Sequence, residues 1–523
     1  MDFFARHLLT LIMLLPAAGA AAVMAAPWKR AVKSTAVGVA VVNLILAVLA
    51  LLIFDWRRSG TYDYASQGGV VQLAEQSGRI PIIRCQYLVG VDGLSLPPIL
   101  LTCLIIALAI GADTSADPRQ LSRLLLLETA LLGTLFSLDF VQFWFFFAAS
   151  AVIARLLFAD QKLTWDRRDL IKQLPLVGIG SILLLPIAAA LCIHQRTSDL
   201  IGLCAGPLRQ SSQPTSIILF LLLLAIMLGR MMRPLGPLRG RGASDPSMYM
   251  VIPLISLGGA YGVLRIVFPI FPNAAIALWP LIAAGAIVWI FWHAMSALAK
   301  PDVPRVIARL VKMQTGIIIL GAATMTASAI NGAWITMCAA ALAQAVILSL
   351  IAALGRLTPA PERASEPMTS RAAPIDGVFA TVAPLSLAGL PLLGGFVGHF
   401  LVVVGIFSAT RADSILLDSN VTNSDLVSTA MLVCLGLLLF AIATAFCLQR
   451  LIAGNWKLGP RRFSQVSPRH LAILSPLAIL IVLLGVLPTP MFFTITGTTA
   501  SAMFDSMKGR IDQSKVASRR ISH

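Results

Sequence analysis

One imidazole interrupts the apolar stretch PLLGGFVGHFLVVVGIF (391–407), and it belongs to His399. Histidine changes charge near neutral pH, so in this setting it can take up and release a proton. Glu128, in LLLLETALL, is a carboxyl group in equally apolar company. An ionisable side chain inside a bilayer costs at least a few kcal/mol, so His399 and Glu128 are the two proton-path candidates. Each also has a plainer reading: His399 as a locally hydrogen-bonded ring, Glu128 as a neutral carboxylic acid bonded to a neighbouring helix.

The remaining chemistry-bearing residues read as structural. Arg230 and Arg233 follow an apolar run and are expected to snorkel to its interface, although Arg230 is also placed to replace a buried cation. Arg309 and Lys312 read as interface anchors, and Arg155 as facing water or pairing with Asp160. His293 reads as a bonded structural histidine and Asp139, in FSLDFVQF, as an exposed turn aspartate. The seven cysteines form no C-x-x-C pair, which leaves neither a zinc nor an iron–sulfur pattern. No G-x-G-x-x-G or P-loop string is present, so the expectation is no metal, no cofactor and no catalytic constellation within the chain.

What must position these groups is a membrane. The chain of 523 residues is 58% hydrophobic and 12% charged, more apolar than a soluble surface allows. Runs long enough to span recur throughout, about 14 in all, and predict an all-α integral membrane protein. The opening MDFFARHLLTLIMLLPAAGA resembles a signal peptide, but its length and the spans that follow favour a retained first helix. The run 376–408 is too long for one straight crossing, and Pro384, Pro391 and Gly394–Gly395 within it predict a broken helix. Broken helices at membrane depth mark ion sites in transporters.

The net charge of +17 lies in short loops, not on one basic face, which excludes a nucleic-acid surface and reads instead as topology. With the N-terminus outside, roughly 25 Lys and Arg fall inside and roughly 13 outside. The loop 55–93 and the tail after 503 then face outward. Trp28, Trp56, Trp165 and Trp456 near span ends suit an interfacial belt.

Six strings occur in one order: VDGLSLPPILLT (91–102), ETALLGTLFSLDFVQFWFF (128–146), GGAYGVLRIVFPIFPNA (258–274), DVPRVIAR (302–309), LAGLPLLGGFVGHF (387–400) and LLGVLPTPM (483–491). Together they resemble the antiporter-like membrane subunits of respiratory complex I, the M-type above all, and the related Mrp antiporters. The resemblance implies N-terminal helices (1–115), two antiporter-like repeats (116–298 and 299–455) and a C-terminal helix with a tail (456–523). It also implies broken helices seven and twelve. A glutamate–lysine pair on helices five and seven would lead, through lysine and histidine, to an exit residue on helix twelve.

Most of that relay is replaced here. The glutamate position holds Ala148, the helix-seven lysine falls near Ile226, and the helix-eight lysine maps to Leu257. The histidines of helices ten and eleven map to Gln314 and Ala340, and RMMRPLGPLRGRGASD (230–245) replaces an unrelated family segment. His399 alone keeps a titratable group, at the exit position. The resemblance thus implies a membrane-arm subunit in a bacterial inner membrane, partnered by other membrane subunits, meeting NADH and quinone only through them. With its relay depleted, a weakly pumping or structural role follows. A subunit of a multi-component cation/proton antiporter, or of another membrane complex, is the alternative.

Overall fold

The computed structural model describes residues 7–26, 28–64, 69–80, 85–159, 167–205, 213–232, 246–299, 303–355, 374–410, 415–416, 421–452, 468–487 and 494–521. The chain opens with α1 (Leu8–Ala25) and α2 (Lys29–Ile53), followed by a hairpin of β1 (Gln72–Ile80) and β2 (Cys85–Val91). Then come α3 (Leu96–Ala112), α4 (Pro118–Phe136), α5 (Phe140–Ala159), α6 (Arg167–Gln195), the short α7 (Leu200–Ala205) and α8 (Gln213–Met232). Next are α9 (Pro246–Met250) and α10 (Ile252–Gly262), a π-turn at Val263–Val267, α11 (Phe268–Ile270) and α12 (Pro272–Ala277). The second half holds α13 (Trp279–Leu298), α14 (Val303–Ala323), α15 (Ala327–Gly355), α16 (Pro374–Leu387), α17 (Gly394–Ser408), α18 (Asn423–Ile452), α19 (Pro468–Val486) and α20 (Thr494–Ile521).

Among the described residues ten helices are long and apolar enough to cross a membrane. Leu96–Ala112, Gly180–Gln195 and Gly394–Ser408 are apolar but shorter. The all-α membrane expectation holds, while the count of about 14 spans read from the sequence is not reproduced among the described residues. Large apolar side chains such as Ile45, Ile182, Val288, Trp292 and Met431 remain exposed on helix faces, as a lipid-facing surface requires.

The hairpin is an addition to the sequence reading. β1 and β2 pair antiparallel, with Gln72 opposite Val91 and Ile80 opposite Cys85. It joins the end of the bundle through polar contacts. Glu75 Oε1 accepts from Leu9 N at 2.7 Å and Glu75 Oε2 from Thr10 N at 3.3 Å, which satisfies free N–H groups at the start of α1. Leu138 N donates to Leu88 O at 3.0 Å, and Gly93 N to Thr499 Oγ1 on α20 at 3.0 Å. The region after 503, read from the sequence as a tail, is therefore the second half of a helix. Arg510 on α20 donates through Nη1 to Leu203 O at 2.9 Å, covering a free carbonyl of α7.

Asp139 corrects another reading. It is fully buried, not an exposed turn residue. Its Oδ1 accepts from Val141 N (2.9 Å) and Gln142 N (3.1 Å) at the start of α5, while Oδ2 accepts from Gln86 N (3.1 Å) and the Ser198 hydroxyl. A corner between two spans, with a hairpin laid over it, must pair its backbone donors, and a short carboxylate does this for three elements at once. Asp199 is the backbone-bridged neighbour of Asp139. Burial pushes its carboxyl up to about 6; bonds from Ile201, Gly202 and Tyr64 oppose this, and the Asp139 charge adds to it.

A raised carboxyl pKa means that the native chain binds more protons than the unfolded one between about 4 and 6, so stability falls as pH rises through that window. Asp199→Asn keeps an acceptor for Ile201 N (3.0 Å) and removes the charge. The melting temperature of the variant should exceed that of the parent increasingly from pH 4 to 6 and by a constant amount above. A pH-independent difference would refute the assignment.

α15 is the central helix, and every residue of its spanning window is buried. It meets α17 through small residues, as closely packed membrane helices do. A Cβ on Gly398 would lie 2.3 Å from Thr336 Oγ1 and 2.6 Å from Thr336 N, so only glycine allows this approach. His399 is thereby carried against the interior of the second half.

Candidate functional site

The broken helix is as the sequence predicts. α16 ends at Leu387, α17 starts at Gly394, and the six residues between are non-helical. Gly389 and Leu392 take left-handed backbone angles, with φ of 75° and 72°. Leu390 N donates to Leu385 O at 3.0 Å and Gly389 N to Ser386 O at 3.0 Å, which closes the end of α16. Gly395 N donates to Ser386 Oγ at 3.3 Å across the break. Leu387 O is satisfied by a side chain: Gln314 Nε2 of α14 donates to it at 2.6 Å. Irregular backbone at membrane depth persists only when its polar groups are paired in this way.

Gln314 also fixes His399. With its amide nitrogen committed to Leu387 O, its Oε1 faces His399 Nε2 at 2.8 Å. That oxygen can only accept, so the network assigns the hydrogen to Nε2 and leaves Nδ1 as an acceptor. Nδ1 has no hydrogen-bond partner among the described residues. It faces Gly389, where a Cβ would come within 2.5 Å of it, so the left-handed glycine both turns the break and makes room for the ring. His399 is 3% exposed, and its hydrogen-bond partner among the described residues is the neutral Gln314.

Three of the replaced relay positions come together. Leu257 on α10, Gln314 on α14 and Ala340 on α15 line one cavity, with about 30 Å³ open to water centres. Ser256, Thr315 and Gln344 share its wall. Met337, Ala340, Ala341 and Gln344 of α15 face it at helical spacing, so one side of the central helix lines the cavity.

Glu128 is not part of this group. It is fully buried on α4, where Asn43 Nδ2 of α2 donates to its Oε1 at 2.7 Å and to Cys103 Sγ of α3 at 3.7 Å. It thus lies among the first helices, facing α2 and α3, while His399 faces α14 and the break.

Arg230 does not snorkel. It is 2% exposed, donates from Nη1 to Phe147 O at 3.1 Å, from Nε to Ile255 O at 3.3 Å and from Nη2 to the Ser150 hydroxyl, and sits 4.5 Å from the centre of the Phe147 ring. It therefore reaches α5 beside Ala148, and all of these partners are neutral. Ile226, one turn earlier on α8, faces Gly180 of α6 instead. The α8 helix runs unbroken to Met232, and residues 233–245 of the replaced segment, Arg233 included, lie outside the described residues. Asp160, Trp165 and Trp456 also lie outside them. His293 is buried in its helix, edge-on to Trp289 with 4.4 Å between ring centres, and its Nδ1 lies 3.5 Å from Arg309 Nη1.

The largest feature that sequence reasoning missed is the ion pair of Arg265, in the π-turn, with Asp92, just after the hairpin. Both side chains are almost wholly buried. Asp92 Oδ1 accepts from Leu94 N (3.1 Å) and Ser95 N (2.7 Å), and Arg265 lies 5.6 Å from the Tyr261 ring centre and 5.9 Å from that of Tyr62. The only sequence signal is that the two residues fall in two of the six resembling strings.

Comparison with known proteins decides the family. The family described as NADH:quinone oxidoreductase/Mrp antiporter, TM, matches residues 137–423, more than half of the chain. The chain belongs to this family. It is an integral, multi-pass membrane protein of the antiporter-like kind. NADH-quinone oxidoreductase subunit M of Rhodobacter capsulatus is 24% identical over 516 residues, covering 92% of this chain and 94% of that protein. NAD(P)H-quinone oxidoreductase chain 4 of Gloeobacter violaceus is 28% identical over 416 residues, covering 76% and 75%. Among solved structures, a chain of respiratory complex I from Thermus thermophilus with bound NADH superposes with a TM-score of 0.75 at 19% identity, covering 95% of this chain and 99% of that one. A chain of the Mrp complex from Dietzia sp. DQ12-45-1b gives 0.72 at 16% identity, covering 94% and 52%.

Proposed function

We propose that this family member is a membrane-arm subunit of a proton-translocating NADH:quinone oxidoreductase in a bacterial inner membrane. It packs against related membrane subunits and meets NADH and quinone only through its partners. The end-to-end similarity to an M subunit supports the complex I assignment over a free-standing antiporter. The observation that carries the mechanistic part is the pairing of His399 with one neutral glutamine at a helix break. His399 is the proton-exit group that remains. Upstream of it the charged relay is replaced by Ala148, Leu257, Gln314 and Ala340, so translocation through this chain is weak. Glu128 serves as a neutral, hydrogen-bonded carboxylic acid that ties α4 to α2.

A mild-detergent pull-down of the tagged chain from its native membranes tests the assignment. Flavin and iron–sulfur proteins should co-purify with NADH:quinone activity. Related membrane subunits arriving without redox proteins would support the antiporter reading instead, to which the Mrp likeness lends structural weight.

A further inference from the structure

Where α13 ends and α14 begins, a group of basic side chains has no counter-ion. Arg309 and Lys312 are half-buried on α14, three residues apart, and His293 on α13 is 3% exposed beside them. The charges acting on His293 are those of Arg309 and Lys312, and Arg309 also acts on Lys312. No Asp or Glu among the described residues pairs with either cation. Trp289 joins the two helices here: its Nε1 donates to Lys312 O at 2.8 Å, and its ring lies 4.4 Å, centre to centre, from that of His293. Arg309 Nη1, which can only donate, faces His293 Nδ1 at 3.5 Å, so the imidazole carries its hydrogen on Nε2. That buried N–H has no hydrogen-bond partner among the described residues. Like charges three apart on a helix repel, and partial burial strengthens the repulsion. Snorkelling to water would relieve the two cations, but it leaves the imidazole N–H unpaired. An oxyanion supplies both the missing charge and the missing acceptor.

The depth of the group suits a lipid phosphate. The spanning segments end at Leu298 and begin at Val306, so Arg309, His293 and Lys312 lie roughly 5–9 Å inside that boundary. Side chains on a helix tilt toward its N-terminus, which carries Arg309 and Lys312 back toward the headgroups. Next to His293, Val288, Trp292 and Met295 form an exposed apolar stripe along α13, at 67%, 65% and 55% exposure. We propose that this corner binds the phosphate of a phospholipid with net negative charge, whose acyl chains lie along the stripe. Two cations with no acid beside them select a net-negative headgroup over a zwitterionic one. With the N-terminus outside, the leaflet is the cytoplasmic one. The site goes beyond the proposed membrane-arm role and is the same for an antiporter subunit.

The test is photo-crosslinking of the intact, detergent-purified assembly with diazirine analogues of phosphatidylglycerol and phosphatidylcholine, mapped by mass spectrometry. The phosphatidylglycerol analogue should label the α13 peptide around Trp292 and Met295 several-fold more than the phosphatidylcholine analogue does. Unlabelled phosphatidylglycerol should compete, and inorganic phosphate at the same concentration should not. Arg309→Gln/Lys312→Gln should abolish the preference, while labelling of the exposed α2 face at Val41 and Ile45 stays at the parental level and shows that the chain is folded. His293→Phe, which keeps both cations and removes the N–H, should lower the preference part-way. Equal labelling of α13 by the two analogues would overturn the proposal, as would a preference that the double variant leaves intact. Competition by inorganic phosphate as strong as that by phosphatidylglycerol would make this a free-phosphate site and overturn the lipid assignment. Loss of partner subunits from the double variant, with α13 labelling unchanged, would give these cations to a subunit contact and overturn it too. None of these readouts requires turnover or redox partners, so a failed pull-down and an empty lipid site are separate results.

Discussion

Arg265→Met is expected to destabilise the chain by about 3–5 kcal/mol, the cost of leaving a buried carboxylate without its cation. Asp92 has no exposed surface on its side chain, and Arg265 is the basic group paired with it. The loss should appear as a lower melting temperature in detergent and as poor recovery of the assembled complex. A second change separates charge from packing. Asp92→Asn keeps the oxygen that Leu94 and Ser95 donate to, so the double variant Arg265→Met/Asp92→Asn should recover much of the loss. A double variant as unstable as Arg265→Met alone would show that the guanidinium matters for its packing between Tyr62 and Tyr261, with the ion pair contributing little.

His399→Ala is expected to remove this chain's whole share of proton translocation, while the assembly forms and oxidises NADH. The same variant leaves Gln314 Oε1 buried and unpaired, at a cost of roughly 1–3 kcal/mol, so lost pumping could reflect a loosened break. His399→Gln removes that ambiguity. Its amide can still donate to Gln314 Oε1, but it cannot take up a proton near neutral pH. Both variants should lower the protons moved per NADH, measured in inverted vesicles, and His399→Gln should do so with near-parental thermal stability. An unchanged ratio in both would end the exit-residue reading and make the chain a structural spacer.

Much of the architecture was legible from residue types. Prolines 384 and 391 with Gly394–Gly395 mark the break because proline and glycine cannot continue a helix cheaply, and the structure places it between Leu387 and Gly394. The position of His399 at that break followed directly. The hairpin was not legible: QLAEQSGRI lacks the alternation of a half-buried strand and becomes one only by pairing with β2 and capping α1 through Glu75. Asp139 was misread because a lone aspartate between two spans looks like a turn until the hairpin and Ser198 close over it. Arg230 was misread in the same way, since a cation at a helix end snorkels unless a neighbouring helix offers carbonyls and an aromatic face.

From its sequence alone, then, this protein is determined to be a bundle of membrane helices with one broken span and a single histidine at the break. Those properties are local: hydropathy over a helix length, backbone restrictions of proline and glycine, and the chemistry of one side chain. Only the tertiary structure decided which polar groups found partners. Asp92 and Arg265 are 173 positions apart, and Gln314 and His399 are 85 apart. Leu257, Gln314 and Ala340 come from three helices and become one cavity wall only when packed. Hydrogen bonds and cavities are set within a few ångströms in space, and helix packing brings together distances that no spacing along the chain encodes.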